Sequence, residues 1–190
     1  KGRIVAIGDL HGDLDAARRV LKLAGAIDAR DRWIGKNLTV VQTGDQLDRG
    51  DGDRAIVDLL DKLAIESRAA GGQLIVLNGN HEIMNAQGDF RYVTPGGFAA
   101  FADMALETPL AHPGQTPSPV RYRAVAFLPG GPYARRLAQR AVVLVLGDNV
   151  FVHGGVLPQH VDYGLARMNH EYQAWLAGKA RGLTRGPVKI

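Results

Sequence analysis

The chain has 190 residues, 46% of them apolar and 22% charged, which is the balance of one soluble globular domain with room for a sizeable core. It contains no cysteine, which excludes disulfides, thiolate metal sites and cysteine nucleophiles. The formal charge of +4 comes from Lys and Arg scattered without a run, so no nucleic-acid partner is expected, and no apolar run reaches the length of a membrane span.

RIVAIG (Arg3–Gly8) opens the chain as a short apolar strand, with neither an initiator Met nor a secretory pattern before it. The sequence is therefore expected to be trimmed, and cytoplasm and periplasm both stay open as compartments. Asp13 to Ala24 carries Leu14, Ala17, Leu21 and Ala24 at helical spacing. LTVVQT (Leu38–Thr43) is the second strand. Asp53–Ala70 is a long helix with Ile56, Leu59, Leu60, Leu63 and Ala64 on one side, stopped by Gly71-Gly72. QLIVLN (Gln73–Asn78) is the third strand. Strand, polar loop and helix in repetition predict an α/β fold with a mostly parallel first sheet.

The second half is less regular. Gly96–Leu106 reads as a helix, Pro109 to Pro119 as a proline-rich loop, and Pro132–Arg140 as one short helix. The whole stretch from Thr94 to Pro132 is expected to shape a substrate groove. AVVLVL and VFVH flank Gly147-Asp148-Asn149 as a hairpin. Leu165, Met168, Tyr172, Trp175 and Leu176 form a last amphipathic helix, and RGLTRGPVKI at the end carries no element signal.

The three apolar strands end alike. IVAIG runs into Asp9-Leu10-His11-Gly12-Asp13, LTVVQT into Gly44-Asp45-Gln46-Leu47-Asp48-Arg49-Gly50, and LIVLN into Gly79-Asn80-His81-Glu82; the hairpin strand VFV opens into His153-Gly154-Gly155. In open α/β sheets ligands bind beyond the carboxyl ends of the strands. Four such loops would bring Asp9, His11, Asp45, Asn80 and His153 together. Carboxylate, imidazole and amide oxygen without sulfur suit Mn first, with Fe or Zn as alternatives. A pair of divalent ions needs a shared group, and Asp45 in the middle of the set is the natural bridge. Taken singly, each residue has a plainer reading. Asp9 or Asp13 could cap the following helix, Asn80 could be a turn residue, and His153 could be packed on a strand. Arg49 could pair with Asp48, Asp51 or Asp53, and Glu82 could cap a helix or support the site from behind. Four glycine-flanked clusters at strand ends make the plain readings poor in combination.

GDLHGD, GDQLDRG, GNHE and HGG, in this order from Ile4 to about Leu157, resemble the phosphoprotein-phosphatase branch of the calcineurin-like metallophosphoesterases. The longer stretches GDQLDRGDGD, NGNHEIMNAQGDFRY and VHGGVLPQHVDYGL are similar to the Shewanella-like protein phosphatase subfamily. The resemblance implies an α/β/β/α sandwich with a dinuclear metal centre at one edge, formed as a single domain over residues 1–190. It implies Asp9 and His11 on one metal, Asp45 as the bridge, and Asn80 and His153 on the other. It makes His81 with Asp48 the pair that protonates the leaving group. Arg49, with Asn80 and His81, would contact the phosphate. The substrate would be a phosphoprotein or phosphopeptide, on Tyr or on Ser/Thr.

The chemistry is coherent for those residue types. Two cations neutralise a phosphate dianion and lower the pKa of a bridging water, whose hydroxide attacks in line. An arginine fork binds two phosphoryl oxygens, and an imidazolium held by a carboxylate supplies the leaving-group proton. The family pattern also asks for a further histidine well downstream of HGG. Only His160 and His170 follow, neither in a matching turn. The second sheet is accordingly expected to lack its C-terminal part here, with the protein continuing past Ile190. Two rivals stand beside the phosphatase reading. One is a phosphodiesterase, nuclease or diadenosine-tetraphosphate hydrolase of the same superfamily. The other is a phosphatase-like binding module without turnover.

Overall fold

A computed structural model describes residues 2–107 and 118–180. The proline-rich loop expected from Pro109 and the final RGLTRGPVKI lie outside the described residues, apart from Ser118 and Pro119. Three strands form a parallel sheet in the order β1 (Ile4–Ile7), β2 (Thr39–Gln42), β3 (Gln73–Val76). Their β-branched residues favour the extended chain. The register pairs Ile7 with Gln42 and Gln42 with Val76, so all three carboxyl ends stop level. The loops that follow therefore leave from one edge of the sheet, which is what gathers the polar clusters.

Helices α1 (Leu14–Leu23) and α2 (Asp53–Ala69) make the crossovers. Asp13 caps α1, its carboxylate accepting from the Ala16 amide at 2.8 Å. That settles which of the two acids caps the helix and leaves Asp9 to the loop. Ala17 and Leu21 of α1, Ile56, Leu60 and Leu63 of α2, and Val40, Leu74 and Val76 of the sheet form one core. Each fully buried Leu or Ile there contributes roughly 1.5–3 kcal/mol of transfer free energy.

A second core holds Leu47, Val57, Ile83, Phe101, Phe127, Tyr133, Leu137, Tyr172 and Trp175. It is collected by α3 (Asn80–Ala86), α4 (Pro95–Ala99), a 3₁₀ turn (Ala102–Glu107), α5 (Pro119–Phe127), α6 (Pro132–Leu137) and α8 (Leu165–Leu176), with the short α7 (Pro158–Tyr163) before the last. The single helix expected over Gly96–Leu106 is thus two pieces. Thr94 caps the first, with Pro95 at its start. Helix α6 ends at Leu137 rather than Arg140. Three helices were not expected. GNHE is the first turn of α3, not a loop, because Glu82, three residues past Gly79, closes a capping box on the Gly79 amide at 2.7 Å. Helix α5 starts behind Ser118-Pro119, and α7 covers the residues around His160.

The hairpin forms as expected, with β4 (Val143–Leu146) and β5 (Asn149–Val152) antiparallel around a two-residue turn, Gly147-Asp148. Gly147 at φ +60° takes the position where such turns need a left-handed residue. Leu77 bridges Ala141 just before β4, and the Asn169 side chain of α8 bonds the Val142 and Val143 amides, so the hairpin hangs beyond the β3 edge. Among the described residues this hairpin is what stands for the second sheet of the expected sandwich. No helix of the described residues is long and apolar enough to cross a membrane.

Candidate active site

The β2 loop is the centre of the site. Its Asp45 carbonyl accepts from the Leu10 and His11 amides at 2.9 and 3.0 Å, and its Oδ1 accepts from the His81 amide at 3.0 Å. The β1 and β3 loops are thereby tied to it on either side. The approach is close enough that only glycine fits. A Cβ on Gly79 would run into the Asp45 carboxylate, and one on Gly44, itself at φ +117°, would meet the Gly79 backbone. Of the six non-glycine residues at positive φ among the described residues, four are here: His11, Asp45, Asp48 and Arg49. Such conformations are uncommon and are held by their surroundings, and they cluster at functional sites.

Glu82 provides much of that holding. It is fully buried, and its Oε2 accepts from the Asp45 and Gly79 amides at 2.8 and 2.7 Å while Oε1 accepts from Gln46 and Leu47 at 2.9 and 3.2 Å. Burial, with the Asp45 charge beside it, pushes this carboxyl up, and the amide donors pull the other way. Glu82 is thus both the cap of α3 and the clasp between two loops. In Glu82→Gln one oxygen becomes an NH₂ facing amide donors, which removes two accepted bonds at once. Unfolding in urea should show a loss of about 2–4 kcal/mol.

The five expected metal ligands meet. Asp45 Oδ2 lies 3.6 Å from His11 Nε2 and 3.2 Å from His153 Nε2. Asp9 approaches His11 Nε2 at 3.5 Å and His153 Nδ1 at 3.7 Å, and Asn80 Oδ1 is 2.9 Å from His153 Nε2. His81 Nε2 also comes within 3.8 Å of Asp45 Oδ2. The ligand atoms form two triads that share Asp45, namely His11, Asp45 and His81, and Asp9, Asp45 and His153. Burial works against the Asp45 charge, yet the hydrogen bonds and positive charge of His153 and His81 hold its carboxyl below the ordinary range. The bond to Asp45 in turn pushes the His153 imidazole up, against burial.

A pair of divalent ions fits these residues. His11 Nδ1 donates to the Leu47 carbonyl at 3.0 Å, which fixes the tautomer and turns a bare Nε2 toward the two aspartates. His153 Nδ1 is buried and makes no hydrogen bond, with the Asp9 carboxylate as its neighbour. Carboxylates, imidazoles and an amide oxygen gathered this closely, with one buried ring nitrogen left without a partner, are a donor set that cations would suit.

Beside the triads stands the Asp48–His81 pair, Nδ1 donating to Oδ2 at 2.7 Å with both side chains buried. This bond directs His81 Nε2 to the site. Arg49 pairs with none of the neighbouring aspartates. Its exposed guanidinium donates to His11 Nε2 at 3.0 Å and to His81 Nε2 at 3.3 Å, so it overhangs the cluster. Tyr92 walls this side, its ring 5.2 Å from the His81 ring and 5.5 Å from the Arg49 guanidinium. Tyr92 closes the stretch NGNHEIMNAQGDFRY, but the sequence assigned it no role. His160 and His170 stay away: His160 Nδ1 accepts from the Leu157 amide at 3.2 Å at the start of α7, and His170 is exposed on α8. Neither joins a metal-capable group among the described residues.

A residue missed altogether is Arg123 of α5. It is fully buried and donates to Asp48 Oδ1 at 3.1 Å and to Asp53 Oδ2 at 2.6 Å. The stretch from Thr94 to Pro132, expected to shape a groove, thus sends at least one side chain behind the Asp48–His81 pair.

Comparison with known proteins is consistent with this arrangement. The chain is 43% identical over 203 residues to Shewanella-like protein phosphatase 2 of Arabidopsis thaliana, covering 93% of this chain and 52% of that protein. It is 33% identical over 156 residues to Shewanella-like protein phosphatase 1 of Plasmodium berghei, covering 82% and 39%. The cold-active protein-tyrosine phosphatase of a psychrophilic Shewanella species superposes with a TM-score of 0.70 at 26% identity, over 91% of this chain and 48% of that one. The chain thus spans about half the length or less of these relatives. Residues 2–137, which contain all of the loops above except the one bearing His153, match the calcineurin-like phosphoesterases, and the chain belongs to that family.

Proposed function

We propose that this chain carries the catalytic centre of a metal-dependent phosphomonoesterase acting on phosphoproteins, at Tyr or Ser/Thr. The observation that carries the reading is the buried Asp48–His81 pair, 2.7 Å apart, with Nε2 presented beside Arg49 at the rim of the Asp45 cluster. A phosphomonoester needs a proton at its leaving oxygen and a cationic clamp on its free oxygens, and these residues would supply both. The names of the relatives, protein phosphatases and a protein-tyrosine phosphatase, support the choice of a phosphorylated protein over a nucleotide or nucleic-acid diester.

Asp9, His11, Asp45, Asn80 and His153 would hold two divalent cations, Mn by preference for an all-nitrogen-and-oxygen donor set. When bound, such ions neutralise phosphoryl charge and acidify water. The chain's own residues do the rest. Arg49 spans two phosphoryl oxygens. As the oxygen of water bonds to phosphorus and one of its protons passes to solvent, the ester P–O bond breaks and its electron pair stays on the leaving oxygen. His81, protonated at Nε2 as an imidazolium that Asp48 stabilises, would give that oxygen its proton and become neutral. Single-domain organisation over residues 1–190 is part of the same proposal.

Hydrolysis of p-nitrophenyl phosphate and of bis(p-nitrophenyl) phosphate tests it. The expected result is monoester turnover that is abolished by a chelator and restored best by Mn, with little turnover of the diester. Preference for the diester would move the function to the phosphodiesterase branch. Tight metal binding with no turnover of either would make the chain a binding module.

A further inference from the structure

We infer that Arg123 is a positioning residue for leaving-group protonation, acting through Asp48 on His81; this rests on the phosphomonoesterase reading above. The Arg123 side chain is fully buried. Its Nη2 contacts Asp48 Oδ1 and Asp53 Oδ2, Nη1 donates to the Gly97 carbonyl at 2.8 Å, and Nε donates to Asn85 Oδ1 at 2.7 Å. The Phe101 and Phe127 rings lie 5.3 and 5.0 Å from it. Asn85 turns its own amide to the same Asp48 oxygen, at 3.0 Å, and α3 carries both Asn85 and His81. The Asp48 amide is held in turn by Asp53 Oδ1 at 3.0 Å.

The division of labour on Asp48 carries the argument. Oδ1 takes the two donors from behind, Arg123 and Asn85, and Oδ2 is left facing His81 Nδ1. A carboxylate anchored through one oxygen cannot rotate away from the imidazole, and the imidazole cannot turn its Nε2 from the site. A buried arginine used only to glue α5 to the core could have taken backbone carbonyls and Asp53 alone. This one reaches the carboxylate that orients the proton donor, while touching neither phosphate-facing group. A guanidinium is also suited to the task in a way an ammonium is not, because its rigid fork serves several acceptors at fixed angles.

The role predicts a dependence on the leaving group. In p-nitrophenyl phosphate the departing oxygen is weakly basic and needs little protonation. In phenyl phosphate it is about as basic as a tyrosine, with a pKa near ~10, and needs the proton. Arg123→Lys and Asn85→Ala should each lower kcat on phenyl phosphate by about tenfold more than on p-nitrophenyl phosphate, with KM and bound metal unchanged. That is a fraction of the roughly 10²–10⁴-fold a general acid supplies. His81→Asn, measured beside them, sets the full size of the bias. Equal losses on both esters in Arg123→Lys and Asn85→Ala, with the bias intact in His81→Asn, would make Arg123 structural only and overturn the inference. Equal losses in His81→Asn itself would remove the proton-donor reading beneath it. Asn85→Ala keeps the arginine while removing its Nε acceptor and the other donor to Asp48 Oδ1, so it tests the same anchoring of Asp48 even if Arg123→Lys fails to fold.

Discussion

His81→Asn is expected to lower kcat by about 10²–10⁴-fold on substrates with a basic leaving group while the protein keeps its metal. His81 is buried on the first turn of α3, its Nδ1 committed to Asp48 at 2.7 Å. Its Nε2 lies 3.8 Å from Asp45 Oδ2 and 3.3 Å from Arg49, within range of two roles, proton donor and metal ligand. The carboxylate behind it is the discriminating feature, because it stabilises the imidazolium that a general acid must be before it acts. An asparagine keeps a donor toward Asp48 and preserves the turn, since the backbone amide of residue 81, not the side chain, bonds Asp45 Oδ1. Metal analysis of the variant beside steady-state kinetics decides between the roles. Metal lost in step with activity would make His81 a ligand.

Asp45→Asn should have the opposite profile: loss of bound metal and, with it, nearly all turnover. Asp45 is the residue both metal-capable triads share, and its Oδ2 lies 3.2–3.8 Å from the Nε2 atoms of His153, His11 and His81. Asparagine has the same shape and can still accept the His81 amide at its oxygen, and the Asp45 carbonyl that gathers Leu10 and His11 is untouched. The fold should therefore survive, leaving the charge as the quantity removed. Losing cation stabilisation worth several kcal/mol in the transition state corresponds to about a 10³-fold fall in rate. Calorimetric titration with Mn should show at least one site lost in Asp45→Asn, against both retained in His81→Asn. Two tight sites in Asp45→Asn would remove it as the bridge.

The contrast between these variants follows from where the information for each residue lies. The three apolar strands, and the polar clusters after them, are visible as local pattern. An apolar run of four to six residues ends in glycine and acid, and parallel pairing then brings the ends level whatever the side chains do. Asp9, His11, Asp45 and Asn80 could be gathered on paper for that reason, and His153 by the like glycine-flanked pattern after the hairpin strand. The start of α3 was legible too, in the Glu three residues after Gly79, but a strand-end loop was the competing reading.

Helix α5 shows how a local pattern fails. Its inward face carries Arg123 with Ala126 and Phe127, so a charge interrupts the apolar stripe by which a helix is recognised, and only Ser118-Pro119 marks its start. What that arginine meets could not be read at all. Asp48 lies 75 residues away along the chain and Asp53 lies 70 away, and nothing near Arg123 announces them. The same holds for Glu82, whose carboxylate accepts Asp45, Gln46 and Leu47 amides from 35 to 37 residues away, and for Arg49, whose flanking aspartates suggested a pairing that the fold does not make. Sequence by itself determined which residues stand at the strand ends, because side-chain period and backbone direction are local properties. Tertiary structure alone decided how those residues are held and aimed. A buried charge takes whichever partner folding brings within about 3 Å, and that choice is made by packing rather than by neighbours in the chain.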